Sequence, residues 1–294
     1  MRFEERPSVF RCGESRLIAI ISRPQEPLPR GVLVVVGGPQ YRAGSHRQFT
    51  LLCRALAGRG VTAMRFDYRG MGDSQGEPRI FEEVLPDIHA AVAHFCAQVP
   101  ELREIAIWGL CDAASAALFC AHQDPRISGL VLLNPWVRTP VGMAKAQLRH
   151  YYWSRFVGKA LWSKVMRGEF DFAAALRSFA RAVATAFGRK RRSAEASDPK
   201  SDSGRAPDTA GASLPDRMAE GLGRFKGRVL LILSGDDLTA QEFVGIAGAS
   251  RRWRRLLAEG RIERRDLPAA NHTFSRREWR DQVAVWTAQW LDAG

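Results

Sequence analysis

The stretch Ile107-Trp108-Gly109-Leu110-Cys111-Asp112-Ala113-Ala114-Ser115 decides the fold. The apolar run Ile105–Trp108 that leads into it is typical of a strand buried on both faces of a sheet. Small residues follow at once, and Ala113–Ala121 predicts a short helix. A strand that turns directly into a helix is the building unit of an α/β sheet, so the flanking segments should repeat this order.

The same order recurs along most of the chain. Strands are predicted at Val32–Val36, Val61–Phe66, Ile127–Leu133, Arg228–Leu233 and Ile262–Leu267. Helices are predicted at Phe49–Leu56, Phe81–Cys96 and Trp279–Leu291. Cys12–Ser22 is expected to supply one or two leading antiparallel strands. Repeated strand–helix crossovers predict an α/β fold with a mostly parallel sheet and flanking helices.

Composition restricts the class of protein. The chain has 294 residues, of which 46% are hydrophobic and 26% charged, which excludes a disordered, collagen-like or small disulfide-rich protein. Its five scattered cysteines lack the spacing of a disulfide framework or a zinc site, so we expect neither a metal nor a cofactor. A charged N-terminus without an apolar signal core, and no apolar run of about 18–20 residues, predict a cytoplasmic protein.

One segment carries nearly all of the net positive charge. Arg138–Arg192 holds 13 Lys or Arg against two acids, which is +11 of the chain's net charge of +13. A general nucleic-acid binder would not concentrate its charge in this way, so nucleic acid is not an expected partner. The predicted organisation is a core at 1–137, a basic aromatic helical lid at 138–187, a flexible linker at 188–216 and a second part of the core at 217–294.

The lid has two interpretations. Basic residues alternate there with nine aromatic residues between positions 141 and 187, a pattern of helices that lie on an anionic membrane surface. The alternative is a helical cap that packs its aromatic side chains onto the core and exposes its charges to water. The membrane interpretation would suit a lipid-linked substrate.

Cys111 is the candidate nucleophile. The stretch around it matches the nucleophile elbow G-x-S-x-G, with Cys111 in place of serine and Ala113 in place of the last glycine. Such a turn strains the backbone and leaves room only for small neighbours. The N-terminus of the following helix favours a thiolate. The alternative is a small buried cysteine of the core.

Two residues that follow late strands are the candidate partners. Asp237 lies just beyond the turn glycine after Arg228–Leu233, and it fits the position of an orienting acid better than Asp236 does. His272 follows Ile262–Leu267 and is the only histidine in the sequence C-terminal to Asp237. Turn chemistry alone would explain the acids, and a solvated loop would explain the histidine. Nucleophile, acid and histidine in this order at strand ends nevertheless predict a triad of Cys111, Asp237 and His272.

The glycine-rich turn after the first long strand predicts an oxyanion hole. One donor would be the backbone N–H of Asp112, which follows the nucleophile. The second would be the N–H of Gly38 or, alternatively, of Gln40. Pro39 has no N–H and cannot serve.

Four stretches together resemble the α/β-hydrolase superfamily, namely Gly37–Tyr41, Gly44–Arg47, Arg65–Ser74 and Leu110–Ala113. Arg69–Ser74 is similar to the R-G-x-G-x-S turn of its esterase and serine-aminopeptidase branches. The chain looks most like the type 1 hydrolase associated with exosortase A systems, which Asp237–Phe243 and Ala270–Phe274 also resemble. The similarity covers about residues 15–140 and 220–292. The chain departs from the wider superfamily in its cysteine nucleophile and in Val36, where a histidine usually precedes the oxyanion turn.

The resemblance implies an α/β-hydrolase fold and a hydrolase of esterase or thioesterase type. It further implies a role in exopolysaccharide or exosortase-linked metabolism, with a small-molecule or lipid-linked acyl substrate, in the cytoplasm or at the inner face of the membrane. Two other functions stay open. The same triad would serve an acyltransferase, in which an acceptor hydroxyl replaces water, and a non-catalytic binding protein would keep the fold without the chemistry.

Overall fold

Eight strands form one sheet in the computed structural model, which describes residues 2–38, 40–137 and 212–293. In chain order the strands are β1 Phe3–Cys12, β2 Ser15–Pro24, β3 Arg30–Val35, β4 Thr62–Phe66, β5 Glu104–Leu110, β6 Ile127–Leu133, β7 Arg228–Asp236 and β8 Ile262–Asn271. Their order across the sheet is β1-β2-β4-β3-β5-β6-β7-β8. Six neighbouring strands pair in parallel, in the order β4, β3, β5, β6, β7 and β8. Strand β2 pairs antiparallel with both β1 and β4.

The mostly parallel sheet of the prediction is thereby confirmed. The leading antiparallel hairpin is longer than the predicted Cys12–Ser22, because β1 already begins at Phe3. The first residues of β1 are charged and alternate between exposed and partly buried positions at the edge of the sheet. An edge strand of this kind carries no continuous apolar run, so its sequence gave a weak strand signal.

Helices cover both faces of the sheet. They are α1 Gln48–Ala57, α2 Leu85–Gln98, α3 Asp112–Cys120, α4 Leu214–Arg224, α5 Leu238–Ala249, α6 Arg251–Leu257 and α7 Arg277–Asp292. Apolar residues of α1 and α7 pack on one face, and those of α2 to α6 pack on the other. Strand β3 shows the division, because Val32 and Val34 join the first core and Leu33 and Val35 join the second.

The predicted linker ends too late. The prediction extends it to residue 216, but α4 already begins at Leu214, and Pro215 is buried. Ser213 is the N-cap of this helix and accepts a hydrogen bond from the N–H of Asp216 at 3.4 Å. Serine, proline and aspartate are typical both of a linker and of the start of a helix, so composition alone did not separate the two. The sequence analysis predicts none of the helices α4, α5 and α6.

Residues up to Val137 and from Ser213 onward form one compact unit. The predicted lid at 138–187 and the predicted linker up to residue 211 lie outside the described residues. Within the described part of the chain, no helix has both the length and the apolar character that crossing a bilayer requires.

The parallel strands all end at the same edge of the sheet, and this edge collects the residues of interest. Cys111 follows β5, Asp237 follows β7 and His272 follows β8. The glycine turn at Gly37 and Gly38 follows β3, the neighbour of β5. Such an edge is where open α/β sheets bind their ligands.

Candidate active site

Cys111 lies at a sharp turn between β5 and α3. Its backbone adopts φ 65° and ψ −123°, a region that residues other than glycine rarely occupy. Gly109 permits this turn, because a Cβ atom there would lie 2.7 Å from the backbone carbonyl carbon of Ala113. Ala113 is itself buried in the core. The close approach of these two positions explains why small residues lie two places before and two places after Cys111.

The other cysteines have different surroundings. Burial raises the pKa of Cys53 to about 11 and that of Cys120 to about 12, and it also raises the pKa of Cys12. Cys96 is partly exposed, as Cys111 is, but it lies within α2. All five cysteines are described, and among them Cys111 alone combines partial exposure with a position at a helix N-terminus.

The ring of His272 reaches the acid that follows β7. Its Nδ1 lies 2.9 Å from Oδ2 of Asp237. Asp237 is the N-cap of α5, and its carboxylate accepts the N–H groups of Thr239 and Ala240 at 3.1 Å each. These bonds hold the carboxylate, which is 8% exposed, in one orientation toward the imidazole. Asp236 is the exposed last residue of β7.

Opposing effects determine the protonation of His272. Burial disfavours the charged ring, but the hydrogen bonds and negative charges of Asp237 and Cys111 outweigh it and raise the pKa of His272 from 6.5 to about 10. Since Asp237 takes Nδ1, Nε2 is the ring nitrogen left for the Cys111 thiol. One imidazole thereby joins the candidate nucleophile to the candidate acid.

Asn134, which the sequence analysis did not single out, supports this arrangement. It is fully buried after β6 and has a left-handed backbone with φ 44°. Its Nδ2 donates to Oγ of Ser234 at 2.8 Å and to the carbonyl oxygen of His272 at 3.1 Å. Its Oδ1 accepts the N–H of Ser234 at 2.9 Å. The sequence signal was a polar residue directly after a buried apolar strand, of a type that tolerates a left-handed backbone.

The glycine turn after β3 lies against the start of α3. Gly38 has φ 61°, and its N–H donates to Oδ1 of Asp112 at 2.7 Å. The N–H of Gln40 donates to the carbonyl oxygen of Gly38 at 2.7 Å, within the turn itself. The two residues predicted as oxyanion donors, Gly38 and Asp112, are therefore neighbours. The N–H of Gln40 instead forms a hydrogen bond within the turn.

Asp67 anchors the loop that follows this turn. It is fully buried and accepts the N–H of Arg42 at 2.7 Å and that of Asp73 at 3.2 Å. The guanidinium of Arg42 also pairs with this carboxylate. Gly72 must be a glycine, because a Cβ atom there would lie 2.3 Å from Oδ2 of Asp67. The turn that resembles R-G-x-G-x-S thus fastens the loop after β3 to the end of β4.

The arrangement is suited to nucleophilic chemistry. The imidazole of His272 contacts the carboxylate of Asp237 and interacts electrostatically with the thiol of Cys111. The N–H of Gly38 lies next to these residues, where the loop after β3 meets the start of α3. Such a set can deprotonate the thiol, direct it at a carbonyl carbon and bind the resulting oxyanion. Across residues 2–38, 40–137 and 212–293, no three His, Cys, Asp or Glu side chains are grouped so that they could hold a metal ion.

Comparison with known proteins gives one family and partial relatives. A family model described as serine aminopeptidase, S33, matches residues 27–191. The polyketide transferase grgF of a Penicillium species is 32% identical over 82 residues, which is 26% of this chain and 28% of that protein. The chain spans less than a third of the length of the curated relatives that it matches.

Solved structures share the fold. The esterase Pf2001 of Pyrococcus furiosus matches with a TM-score of 0.63 and 14% identity, over 99% of this chain and 91% of that one. A dienelactone hydrolase of Anabaena variabilis matches with a TM-score of 0.62 and 13% identity, over 100% of this chain and 99% of that one. At such low identity the likeness concerns the fold alone, and it confirms the predicted α/β-hydrolase fold.

Proposed function

Because this chain belongs to the serine aminopeptidase S33 family of α/β-hydrolases, we propose that it hydrolyses an ester or thioester through a triad of Cys111, His272 and Asp237. One observation carries the proposal. The imidazole of His272 lies 2.9 Å from the carboxylate of Asp237, and Asp237 and Cys111 both raise its pKa, at the edge where the parallel strands end. Position in the fold and contact geometry therefore support the same three residues.

The triad forms and breaks a thioester. His272 takes the proton of the Cys111 thiol, and the sulfur attacks the carbonyl carbon of the substrate. When the tetrahedral intermediate collapses, the imidazolium returns the proton to the departing alcohol or thiol. Water, deprotonated by His272, then attacks the acyl-enzyme and releases the acid. Asp237 fixes the tautomer of the ring and stabilises the imidazolium.

Backbone N–H groups would bind the oxyanion. The proposed donors are those of Asp112 and Gly38, and the loss of one such donor typically raises the barrier by about 2.7–4 kcal/mol. Gly38 is preferred to Gln40, because its N–H is directed at the start of α3 beside Cys111, whereas the N–H of Gln40 is directed back to the carbonyl oxygen of Gly38 within the turn.

The cysteine sets the substrate class. The family name refers to a serine enzyme, whereas this chain places Cys111 at the elbow. A thiolate leaves a tetrahedral intermediate more readily than an alkoxide does, so attack on an amide tends to reverse. Activated esters, thioesters and lactones have better leaving groups, and we propose these rather than peptides as substrates.

The finer setting rests on the sequence resemblance. We propose a small-molecule or lipid-linked acyl substrate in exopolysaccharide or exosortase-linked metabolism, handled in the cytoplasm or at the inner membrane face. The basic segment at 138–187 would supply the contact with anionic lipid, and it lies outside the described residues.

Acyl transfer is the second candidate function. A curated relative is a polyketide transferase, and it is 32% identical over 82 residues. The same acyl-enzyme would pass its acyl group to a hydroxyl acceptor in place of water. Product analysis with and without an added alcohol or carbohydrate acceptor separates transfer from hydrolysis.

The test of the triad is direct detection of the acyl-enzyme. Brief incubation with p-nitrophenyl butyrate, followed by mass spectrometry of intact and digested protein, should show one butyryl group on Cys111. The adduct should be absent in Cys111→Ala and form slowly in His272→Ala. Cys96→Ser, which removes the other partly exposed thiol, is the matched control and should label as the wild type does. Labelling that follows Cys96 instead would refute the assignment.

A further inference from the structure

The side chain of Asp112 accepts a hydrogen bond from one of the proposed oxyanion donors. Its Oδ1 accepts the N–H of Gly38 at 2.7 Å. Burial raises the pKa of Asp112, and the hydrogen bonds from the N–H groups of Gly38, Ala113 and Asp112 itself, which favour the ionised carboxylate, offset only part of this rise. The carboxylate thus lies among the backbone N–H groups that would otherwise face a substrate carbonyl.

The fit around this carboxylate is close. A Cβ atom at Gly37 would lie 2.4 Å from Oδ1 of Asp112 and 2.4 Å from the carbonyl oxygen of Leu110. Gly37 therefore lets the loop after β3 approach the start of α3 closely enough for Gly38 to reach the carboxylate. The N–H of Gly38 is thereby engaged by the carboxylate, so a substrate oxygen has to compete for it.

Building on the proposed function, we infer that the Asp112 carboxylate is an internal occupant of the oxyanion site, which the substrate carbonyl must displace before Cys111 attacks. The carboxylate and the oxyanion are both anionic and both need the N–H of Gly38, so they exclude each other. Asp112 thereby has two separate parts in the reaction. Its backbone N–H binds the oxyanion, and its side chain competes for the neighbouring donor.

A purely structural role of Asp112 would have different effects on stability and on oxyanion affinity. Asp112 is the first residue of α3, and an acid there stabilises the positive end of the helix dipole. Replacement of an acid with that role alone would lower stability and would leave the affinity for an oxyanion unchanged or weaker. An occupant of the oxyanion site, once removed, makes the oxyanion bind more tightly.

The experiment measures the affinity for a stable oxyanion adduct. An alkyl trifluoromethyl ketone accepts the Cys111 sulfur at its carbonyl carbon, the carbonyl electron pair moves to oxygen, and the thiol proton passes to His272. Its inhibition constant is compared in the wild type, Asp112→Asn and Asp112→Ala. Because removal of an oxyanion donor costs about 10²–10³-fold in rate, freeing one should tighten inhibition by at least about tenfold in Asp112→Ala.

The asparagine variant should be intermediate, because a neutral amide oxygen still accepts the Gly38 N–H, but more weakly than a carboxylate does. Asp216→Ala is the matched control, since it removes an acid from the first turn of α4, and it should leave the inhibition constant unchanged. The amide resonance of Gly38 reports the hydrogen bond itself and should move in Asp112→Ala.

Inhibition that is equal or weaker in both Asp112 variants would overturn the inference while leaving the triad in place. An unmoved Gly38 resonance would overturn it as well. A wild-type protein that forms no adduct on Cys111 and hydrolyses no ester would instead overturn the proposed function, and the inference with it.

Discussion

The side-chain nitrogen of Asn134 donates a hydrogen bond of 3.1 Å to the backbone carbonyl oxygen of His272. The same nitrogen donates to Ser234, which lies on β7, three residues before Asp237. The residue that follows β6 therefore contacts both the strand that leads to the acid and the loop that carries the histidine. The 2.9 Å contact between His272 and Asp237 depends on the relative position of these two segments.

Cys111 should react faster with iodoacetamide than the other four cysteines, and His272 should be the cause. The imidazolium persists until the pH nears about 10, the pKa of His272, and a cation near a cysteine increases the reactivity of its sulfur. The ratio of labelling rates between the wild type and His272→Ala should therefore be largest near neutral pH and fall toward one as the pH rises through about 10. Residue-resolved mass spectrometry over this pH range measures the ratio.

Cys53 and Cys120 provide an internal reference, because burial keeps both thiols protonated at neutral pH. Equal labelling of these cysteines and Cys111, or a ratio that does not change with pH, would show that Cys111 and His272 do not act as a pair.

Asp237→Asn should lower turnover far more than Asp236→Asn. Asparagine is as good an N-cap as aspartate, so the variant should keep α5 and the fold. It loses the charge that stabilises the imidazolium, and the general-base contribution of about 10²–10⁴-fold should shrink accordingly. Ester hydrolysis by both variants, with circular dichroism as a check on folding, tests the choice. A larger loss at Asp236 would assign the acid to that residue.

The sequence predicted the features that depend on residues close together in the chain. Cys111 and Asp237 each follow an apolar buried strand, whereas His272 follows the charged edge strand β8. Parallel strands bring all three positions to one edge of the sheet. Asn134 could not be found in this way, because its partners Ser234 and His272 are 100 and 138 positions away and meet it only in the folded sheet. The carboxylate of Asp112 was missed for the same reason. The loop after β3 that it contacts lies 74 positions earlier in the sequence.

The basic segment should bind vesicles rich in anionic lipid, a prediction that rests on sequence alone. Each Lys or Arg near such a surface contributes about 1 kcal/mol, and salt screens this attraction. Aromatic burial adds a part that salt does not remove, so binding should weaken as salt rises without vanishing. Reversing the charges of Lys145, Arg149, Arg155 and Lys159 should abolish most of the binding in a flotation assay and leave hydrolysis of a small soluble ester intact.

The control reverses four exposed charges on the described core, namely Arg251, Arg252, Arg254 and Arg255 of α6. This variant has the same net charge as the first, so equal losses of binding would mean that overall charge, and not the basic segment, attracts the protein to lipid. Absence of flotation at low salt would favour the alternative of a cap that packs on the core.

Two substitutions of Asn134 separate positioning from simple stability. Glycine keeps the left-handed backbone but removes all three side-chain hydrogen bonds, and buried groups left without partners cost about 1–3 kcal/mol each. Aspartate still accepts the N–H of Ser234 but places an oxygen against the carbonyl oxygen of His272. Both variants should unfold at a lower temperature, and both should weaken the dependence of Cys111 labelling on His272.

Ser234→Ala is the matched control, because it removes an acceptor of Asn134 and leaves the bond to His272 in place. The informative measurement is the pH profile of the labelling ratio at a temperature well below unfolding. If Asn134 positions the imidazole, the ratio near neutral pH should fall in the glycine and aspartate variants and stay high in Ser234→Ala. A profile that matches the wild type in all three, despite lower melting temperatures, would mean that Asn134 stabilises the sheet without setting the geometry of the triad.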